Sequence, residues 1–246
     1  MIWYFLGFSL LGWSLIYPLT DFYVRFVNPT TIRKGAPGSG SATLYLTFDD
    51  GPDPETTPQI LKILAELNIP ACFFLVAAKA EQHPQLVTAI VNAGHEIGLH
   101  TLNHRHAYLM FAKASRASVA DGKAVLERIA TRPVFWFRPP WGAMNFFQYR
   151  AASRFCWPIV LWSANARDWK AQTGQAGILR RLAKKISNGA VVVLHDAGGE
   201  NGAPRNTVGA LPEFITACQA AGYRFCSLKN GGMSQDVGSR GFTAGQ

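Results

Sequence analysis

Asp49 and Asp50 are adjacent carboxylates that close a β-rich run, Thr43 to Phe48, and stand directly before Gly51-Pro52. Like charges this close need a cation or a proton between them. Successive strand residues point to opposite faces, so one Asp can hold a metal while its neighbour does separate work. The pair alone is weak, because two acids before Gly-Pro also occur in solvated turns. Partners come in His100-Thr101-Leu102-Asn103-His104, two imidazoles four residues apart that meet one ion if the segment makes a helical turn. Asp50, His100 and His104 then form a mixed N/O set suited to Zn²⁺, with Co²⁺ or another divalent ion as substitute, and with positions left for water and substrate. His83, His95 and His106 have no carboxylate or imidazole partner at a useful spacing and read as structural.

Three further clusters follow: Arg138-Pro139-Pro140-Trp141-Gly142, Trp162 to Trp169, and Val191-Val192-Val193-Leu194-His195-Asp196. Together with Thr47-Phe48-Asp49-Asp50-Gly51 and the His100/His104 pair, these five motifs in order resemble the NodB-homology polysaccharide deacetylases, carbohydrate esterase family 4. The resemblance covers about residues 43–228. It implies that Asp49 is the catalytic base, that Asp50, His100 and His104 hold the metal, and that Arg138 pairs with the base. It also implies that His195 is the catalytic acid, oriented by Asp168, with Trp169 and Val193 walling an acetyl pocket. Two positions depart from the family pattern. Val193 replaces the usual Leu, and Asn165 stands where the first Asp of the fourth motif is expected, so the tuning of the site is in question more than its chemistry.

The physical chemistry of amide hydrolysis asks for the same groups. A water must be activated, an oxyanion cradled and a proton given to the departing amine, and a zinc ion supplies the first two. A carboxylate beside the ion, kept charged by Arg138, suits the base, and a histidine titrating near neutrality suits the acid. Among the backbone N–H groups of residues 140–142, Pro140 has none, which leaves Trp141 as the best oxyanion donor.

Positioning these groups requires a scaffold that brings distant segments to one rim. Strand-like runs near 43–48, 71–76, 95–100, 134–138, 159–163, 190–195 and 223–228 alternate with helix-like stretches such as Thr57 to Leu67, Ser115 to Ile129, Gly177 to Ile186 and Val208 to Ala221. Seven such alternations predict an α/β fold with a parallel barrel, and each motif falls at the C-terminal end of a strand, where such barrels carry their sites. The resemblance implies a distorted seven-stranded (β/α) barrel of the NodB-homology type, open on one side to a polymer.

Residues 1–20 carry no charged side chain and are rich in Leu, Ile, Phe and Trp, long enough for a membrane anchor without a basic start or a small-x-small cleavage site. Residues 21–42 read as linker, 43–230 as the deacetylase domain, and 231–246 as a flexible tail. Arg25, Arg33 and Lys34 would hold the domain in the cytoplasm by the positive-inside rule, whereas the resemblance implies wall polymers outside; extracytoplasmic anchoring is favoured, with the cytoplasmic face as the alternative.

The net charge of +9 fits an anionic lipid or wall surface, and no nucleic-acid motif accompanies it. Four cysteines without a C-x-x-C pair read as small core residues. The expected substrate is an N-acetylated glycan: peptidoglycan, chitin oligomers or a related polymer. A lipid- or nucleotide-linked N-acetyl sugar and O-acetyl xylan are the alternatives. A metal phosphoesterase using the same three ligands lacks the residues for a second ion, and a non-catalytic sugar binder has no use for Asp49, Arg138, Asp168 and His195 together.

Overall fold

Strands separated by helices pair in parallel, because a tight hairpin cannot return the chain in the same direction. All strand pairs of the sheet obey this. The computed structural model describes residues 17–37, 40–155 and 157–230. In chain order the strands are β1 (Thr31–Ile32), β2 (Ala42–Asp49), β3 (Cys72–Leu75), β4 (Glu96–Leu99), β5 (Trp136–Phe137), β6 (Ile159–Val160), β7 (Ala164–Asn165), β8 (Ala190–His195) and β9 (Tyr223–Phe225). Their spatial order is β1-β6-β5-β4-β3-β2-β8-β7, with β9 beside the start of β2. The helices are α1 (Thr56–Glu66), α2 (Ala77–Gln82), α3 (Pro84–Asn92), α4 (Ala112–Ala130), α5 (Phe146–Arg154), α6 (Gly174–Ala183) and α7 (Ala203–Ala220). The seven expected runs are β2 to β6, β8 and β9. β1 and β7 have two residues each, too few to show a period.

The sheet curls around β2, which is buried from Thr43 to Asp49. A strand covered on both faces reads as a continuous apolar run. Its outward residues Leu44, Leu46 and Phe48 join the core beneath the helices, with Ile60 and Leu64 of α1 and Leu211 and Ile215 of α7. Its inward residues alternate with these: Tyr45 packs with Phe74, Trp136 and Val191 inside the curl, followed by Thr47 and Asp49. One run of chain crosses from one side of the sheet to the other, from β6, next to the end strand β1, to β7, the opposite end strand. Ile159 pairs with Phe137 at one end, and five residues on Ala164 pairs with Val192 at the other.

The N-terminal region differs from expectation. Residues 17–22 are helical and continue into a π-helix, Tyr23–Val27, which lies on the barrel rim. Tyr17 Oη donates to the Met110 carbonyl at 3.3 Å, Arg25 Nη2 to the Trp141 carbonyl at 3.2 Å, and Asp21 accepts from the Met144 N–H at 3.3 Å. Residues 17–20, the end of the expected anchor, therefore belong to a docked helix, while 1–16 and the expected tail, 231–246, lie outside the described residues. No helix among the described residues is long and apolar enough to cross a membrane. The expected linker is also structured in part: β1 joins the sheet, Lys34 bridges to Ala190, and the Ala36 carbonyl accepts from Tyr45 Oη at 3.0 Å. Its Gly and Pro content suggested flexibility, but partners from distant strands fix it.

Candidate active site

Strand register does most of the assembly. Asp49, the last residue of β2, lies directly opposite His195, the last residue of β8. Leu99 opposite Phe137 sets His100 beside Arg138, whose carbonyl contacts His100 Nδ1 at 2.8 Å. A carbonyl can only accept, so Nδ1 carries the proton and the Nε2 lone pair faces the cleft.

Asp49 is buried against Arg138, whose Nη1 donates to Asp49 Oδ1 at 2.6 Å and to Thr47 Oγ1 at 2.8 Å. Nε and Nη2 donate to the carbonyls of Val160 and Leu161, at 2.9 and 3.2 Å, and its carbon stands 4.0 Å from the Phe74 ring centroid. A fully enclosed cation with its charge matched and its donors used is rigid.

Asp50 leaves the strand in left-handed backbone, with φ of 74°. Alternation would have sent it away from Asp49, but the left-handed turn returns its carboxylate to the same side. Its Oδ1 lies 3.3 Å from His100 Nε2 and 2.9 Å from His104 Nε2, while Asp49 Oδ2 is 3.9 Å from His100 Nε2. The expected helical turn between the two histidines is absent. They sit on an irregular loop after β4 in which Thr101 and His104 are left-handed, with φ of 68° and 50°. Two bends do the work of one turn.

The donor set fits a divalent ion. One ligand atom each from Asp50, His100 and His104 lie within 4.8 Å of one another. Asp50 Oδ1 is buried and makes no hydrogen bond, although both imidazole nitrogens are close. Three lone pairs converging on one point without hydrogen bonds between them suit an ion with bonds of about 2.0–2.2 Å. Burial alone would raise the Asp50 pKa; without an ion, the two facing imidazoles acting as donors, together with the charge of His195, reverse that and hold it below the usual carboxylate range. Gly198 makes room here, since a Cβ on it would stand 2.5 Å from Asp50 Oδ2.

His195 is held from the other side. Asp168 Oδ1 is 3.0 Å from His195 Nδ1, and Asp168 Oδ2 accepts from the His195 N–H at 2.7 Å and from Thr207 Oγ1 at 2.9 Å. Burial would lower the imidazole pKa, but the charge and hydrogen bond of Asp168, with the charges of Asp49 and Asp50, push it up to about 9. Trp169 stands edge-on to His195, with centroids 5.4 Å apart, and Val193 is buried one turn of the pleat below. Trp141 is left-handed, with φ of 55°, and its ring packs on His104 at 4.6 Å and His106 at 5.0 Å. The Gly142 and Ala143 N–H groups are used by the turn, bonding to Pro139 and Pro140, while a first-turn N–H such as that of Trp141 has no partner inside it. These groups line a cleft of about 640 Å³.

All ten residues expected at the site thus meet around one cleft, directly or through Asp49 and His195. The sequence reading missed several that support them. Thr47 was legible, two residues before Asp49 on the same strand face. Lys79 lines the cleft and donates to the Asp50 carbonyl at 2.8 Å, and Trp162 and Asn103 line it too. No sequence period marks them. Asp196 is fully buried beneath Gly51, accepts from Thr57 Oγ1 at 2.6 Å, and its carboxyl is pushed up to about 7 chiefly by burial. Of the histidines left as structural, His95 packs on Phe73, whereas His106 packs against Trp141 and edge-on to Tyr108 at the rim. Asn165, the departure in the fourth motif, has a buried Oδ1 with no hydrogen-bond partner.

A family model described as polysaccharide deacetylase matches residues 37–172, more than half of the chain. The chain belongs to the polysaccharide deacetylase family. It is 36% identical over 187 residues to a peptidoglycan-N-acetylglucosamine deacetylase of Bacillus cereus, spanning 75% of this chain and 85% of that protein. It is 31% identical to a chitooligosaccharide deacetylase of Sinorhizobium fredii, over 78% of this chain and 92% of that one. In structure it resembles the Bc1960 peptidoglycan N-acetylglucosamine deacetylase, with a TM-score of 0.76 and 30% identity over 85% of this chain and 94% of the other. It also resembles BA3943 of Bacillus anthracis, a CE4 family pseudoenzyme, with a TM-score of 0.73 and 25% identity over 84% and 70% of the two chains. Polysaccharide deacetylases are hydrolases, and in this chain the groups for hydrolysis are present and converge.

Proposed function

We propose that this polysaccharide deacetylase removes N-acetyl groups from amino-sugar glycans of the peptidoglycan or chitin-oligomer kind, releasing acetate, with Zn²⁺ held by Asp50, His100 and His104. The supporting observation is the register that puts Asp49 and His195 side by side at the ends of β2 and β8, flanking the three metal-binding side chains. A bound zinc would supply Lewis acidity to the acetyl carbonyl and to a water.

The chain's own residues do the rest. Asp49, paired with Arg138, takes a proton from the water as its oxygen attacks the carbonyl carbon. The Trp141 N–H donates to the developing oxyanion. His195, an imidazolium at neutral pH through its pairing with Asp168, gives a proton to the sugar nitrogen as the C–N bond breaks. Trp169 and Val193 enclose the acetyl methyl. Acetate and a free amine leave, and the proton held by Asp49 returns to solvent as His195 is reprotonated.

Acetate release by the zinc-loaded full chain from chitin oligomers, peptidoglycan and acetylated xylan, beside phosphate release from a phosphate ester, tests this reading. Acetate from an N-acetylated glycan is expected. Release from xylan alone would make the protein an O-acetyl esterase, and phosphate release alone a phosphoesterase. We further propose that residues 1–16, which are uncharged, keep the enzyme at a membrane with the barrel on the extracytoplasmic side. Protease added to intact spheroplasts should digest it; protection would place it in the cytoplasm, acting on a lipid- or nucleotide-linked sugar.

A further inference from the structure

Large apolar side chains are exposed in one region. Ten of the eleven exposed large hydrophobics among the described residues fall within residues 19–27, 108–111 and 141–146, and Phe135 is the exception. The most exposed are Phe111 at 79%, Leu109 at 73%, Phe26 at 68% and Leu19 at 63%. Contiguous exposure of this kind marks an interaction surface, whereas scattered residues would not.

The three segments are fastened to one another beside the cleft. The Tyr17 and Tyr108 rings lie 5.6 Å apart, Arg25 bonds to the Trp141 carbonyl, and Tyr23 meets Tyr149 edge-on at 5.7 Å. Asn145 Nδ2 donates to the Ala107 carbonyl and to Ser115 Oγ, both at 2.7 Å. Trp141 belongs both to this surface and to the cleft wall.

The charge on the surface is one-sided. Residues 17–33, 103–116 and 141–154 carry seven Lys or Arg and a single acid, Asp21, which pairs with Arg25 at 2.8 Å. Two of these cations lie against aromatic rings, Arg33 over Phe26 at 5.8 Å and Arg116 over Phe147 at 5.2 Å. Exposed aromatic and aliphatic side chains among basic ones are what an element lying in a bilayer interface presents.

We propose that this face docks the folded domain on an anionic lipid bilayer, so that the mouth of the cleft stands at the membrane surface. Charge decides between this occupant and the others. A second copy of the chain, at +9, brings the same basic surface, and the uncharged residues 1–16 cannot neutralise it. In sequence those residues run straight into Tyr17, so the docking face continues an uncharged apolar stretch. The inference does not depend on the reaction assigned to the cleft.

Hydrogen exchange of the full chain, alone and with vesicles of phosphatidylcholine or phosphatidylcholine with phosphatidylglycerol, tests it at residues 105–113, remote in sequence from the N-terminus. Exchange there should slow by about tenfold or more with the anionic vesicles. The double variant Leu109→Ser, Phe111→Ser should lose that protection while its thermal midpoint stays unchanged. Protection equal without vesicles would mean that the chain itself or a second copy covers the face. Equal protection by neutral vesicles would refute the anionic surface, and no protection with either would overturn the proposal.

Discussion

Asp49 and Arg138 are held where strands impose the geometry, whereas His104 and Trp141 are held on loops. The first pair is enclosed, with Arg138 fully buried and its donors shared among Asp49, Thr47 and two carbonyls. The second pair lies at the rim, with the His104 side chain 27% and Trp141 52% exposed, both in left-handed backbone. Such backbone costs about 1–3 kcal/mol per residue, and ring packing between the two returns about 0.5–1.5 kcal/mol. The proposed base is thus fixed by the fold itself, while one proposed metal ligand depends on strain offset by a neighbour. Damage to the first should be chemical and irreparable; damage to the second should respond to metal supply.

The largest effect is expected from Asp49→Asn, which should cost about 10² to 10⁴ in kcat with zinc content unchanged in an elemental assay. Near-normal acetate release would remove Asp49 from the base role. His104→Ala should lower zinc content and activity together, and saturating zinc should recover much of the turnover, leaving a deficit below about 10². Full metal occupancy in that variant would exclude His104 as a ligand.

Asp168→Asn tests the opposite wall. Without an ion His195 is protonated below about 9, so kcat/KM should fall on the alkaline side as pH rises toward that value, and loss of the Asp168 charge should move this limb to lower pH. A cation bound at Asp50 cancels that residue's share of the shift, so the limb of the zinc enzyme should lie below that of the metal-free site. The same pairing affects stability. With a folded pKa above the ordinary 6.5, it stabilises fully below 6.5 and progressively less as pH rises through about 9. The difference in thermal midpoint between the two proteins should therefore be widest in mild acid and shrink toward pH 9.

The smallest effect is expected from Thr47→Val, which keeps the shape but removes one acceptor from Arg138. A loss of about 1 kcal/mol corresponds to less than tenfold in kcat. An equal loss with Asp49→Asn would mean that Arg138, rather than the base, sets the rate.

The same contrast explains what the sequence made legible. Asp49, His195 and Arg138 could be read because strands carry a two-residue period and barrels gather strand ends at one rim; the runs at 43–48 and 190–195 became β2 and β8 in the expected places. His100 and His104 were found by residue type, but for the wrong local reason, since the helical turn inferred from their spacing is two left-handed bends. Nothing in the side chains of Thr101 or Trp141 announces such backbone, because it is imposed by the tertiary surroundings. Lys79, Thr207 and Asp196 act through contacts across 29 to 140 residues of chain, and no local pattern records those. The start of the docked helix before β1 was hidden for another reason: residues 17–20 end an uncharged apolar run, and such a run reads as lipid-facing whether the partner is lipid or protein.

The chain between β6 and β7 has a further consequence. Leu161, Trp162 and Ser163 are the spacer between β6, next to the end strand β1, and β7 at the opposite end, so the number of residues there limits how far apart those two sides of the sheet can stand. The same stretch presents the Val160 and Leu161 carbonyls to Arg138 and the Trp162 ring to the cleft. One inserted residue would enlarge the circumference and also slide both carbonyls away from the guanidinium. The calibre of the barrel and the alignment of Asp49 with Arg138 therefore depend on the same short length of chain, whereas the loops can change the width of the cleft without touching it.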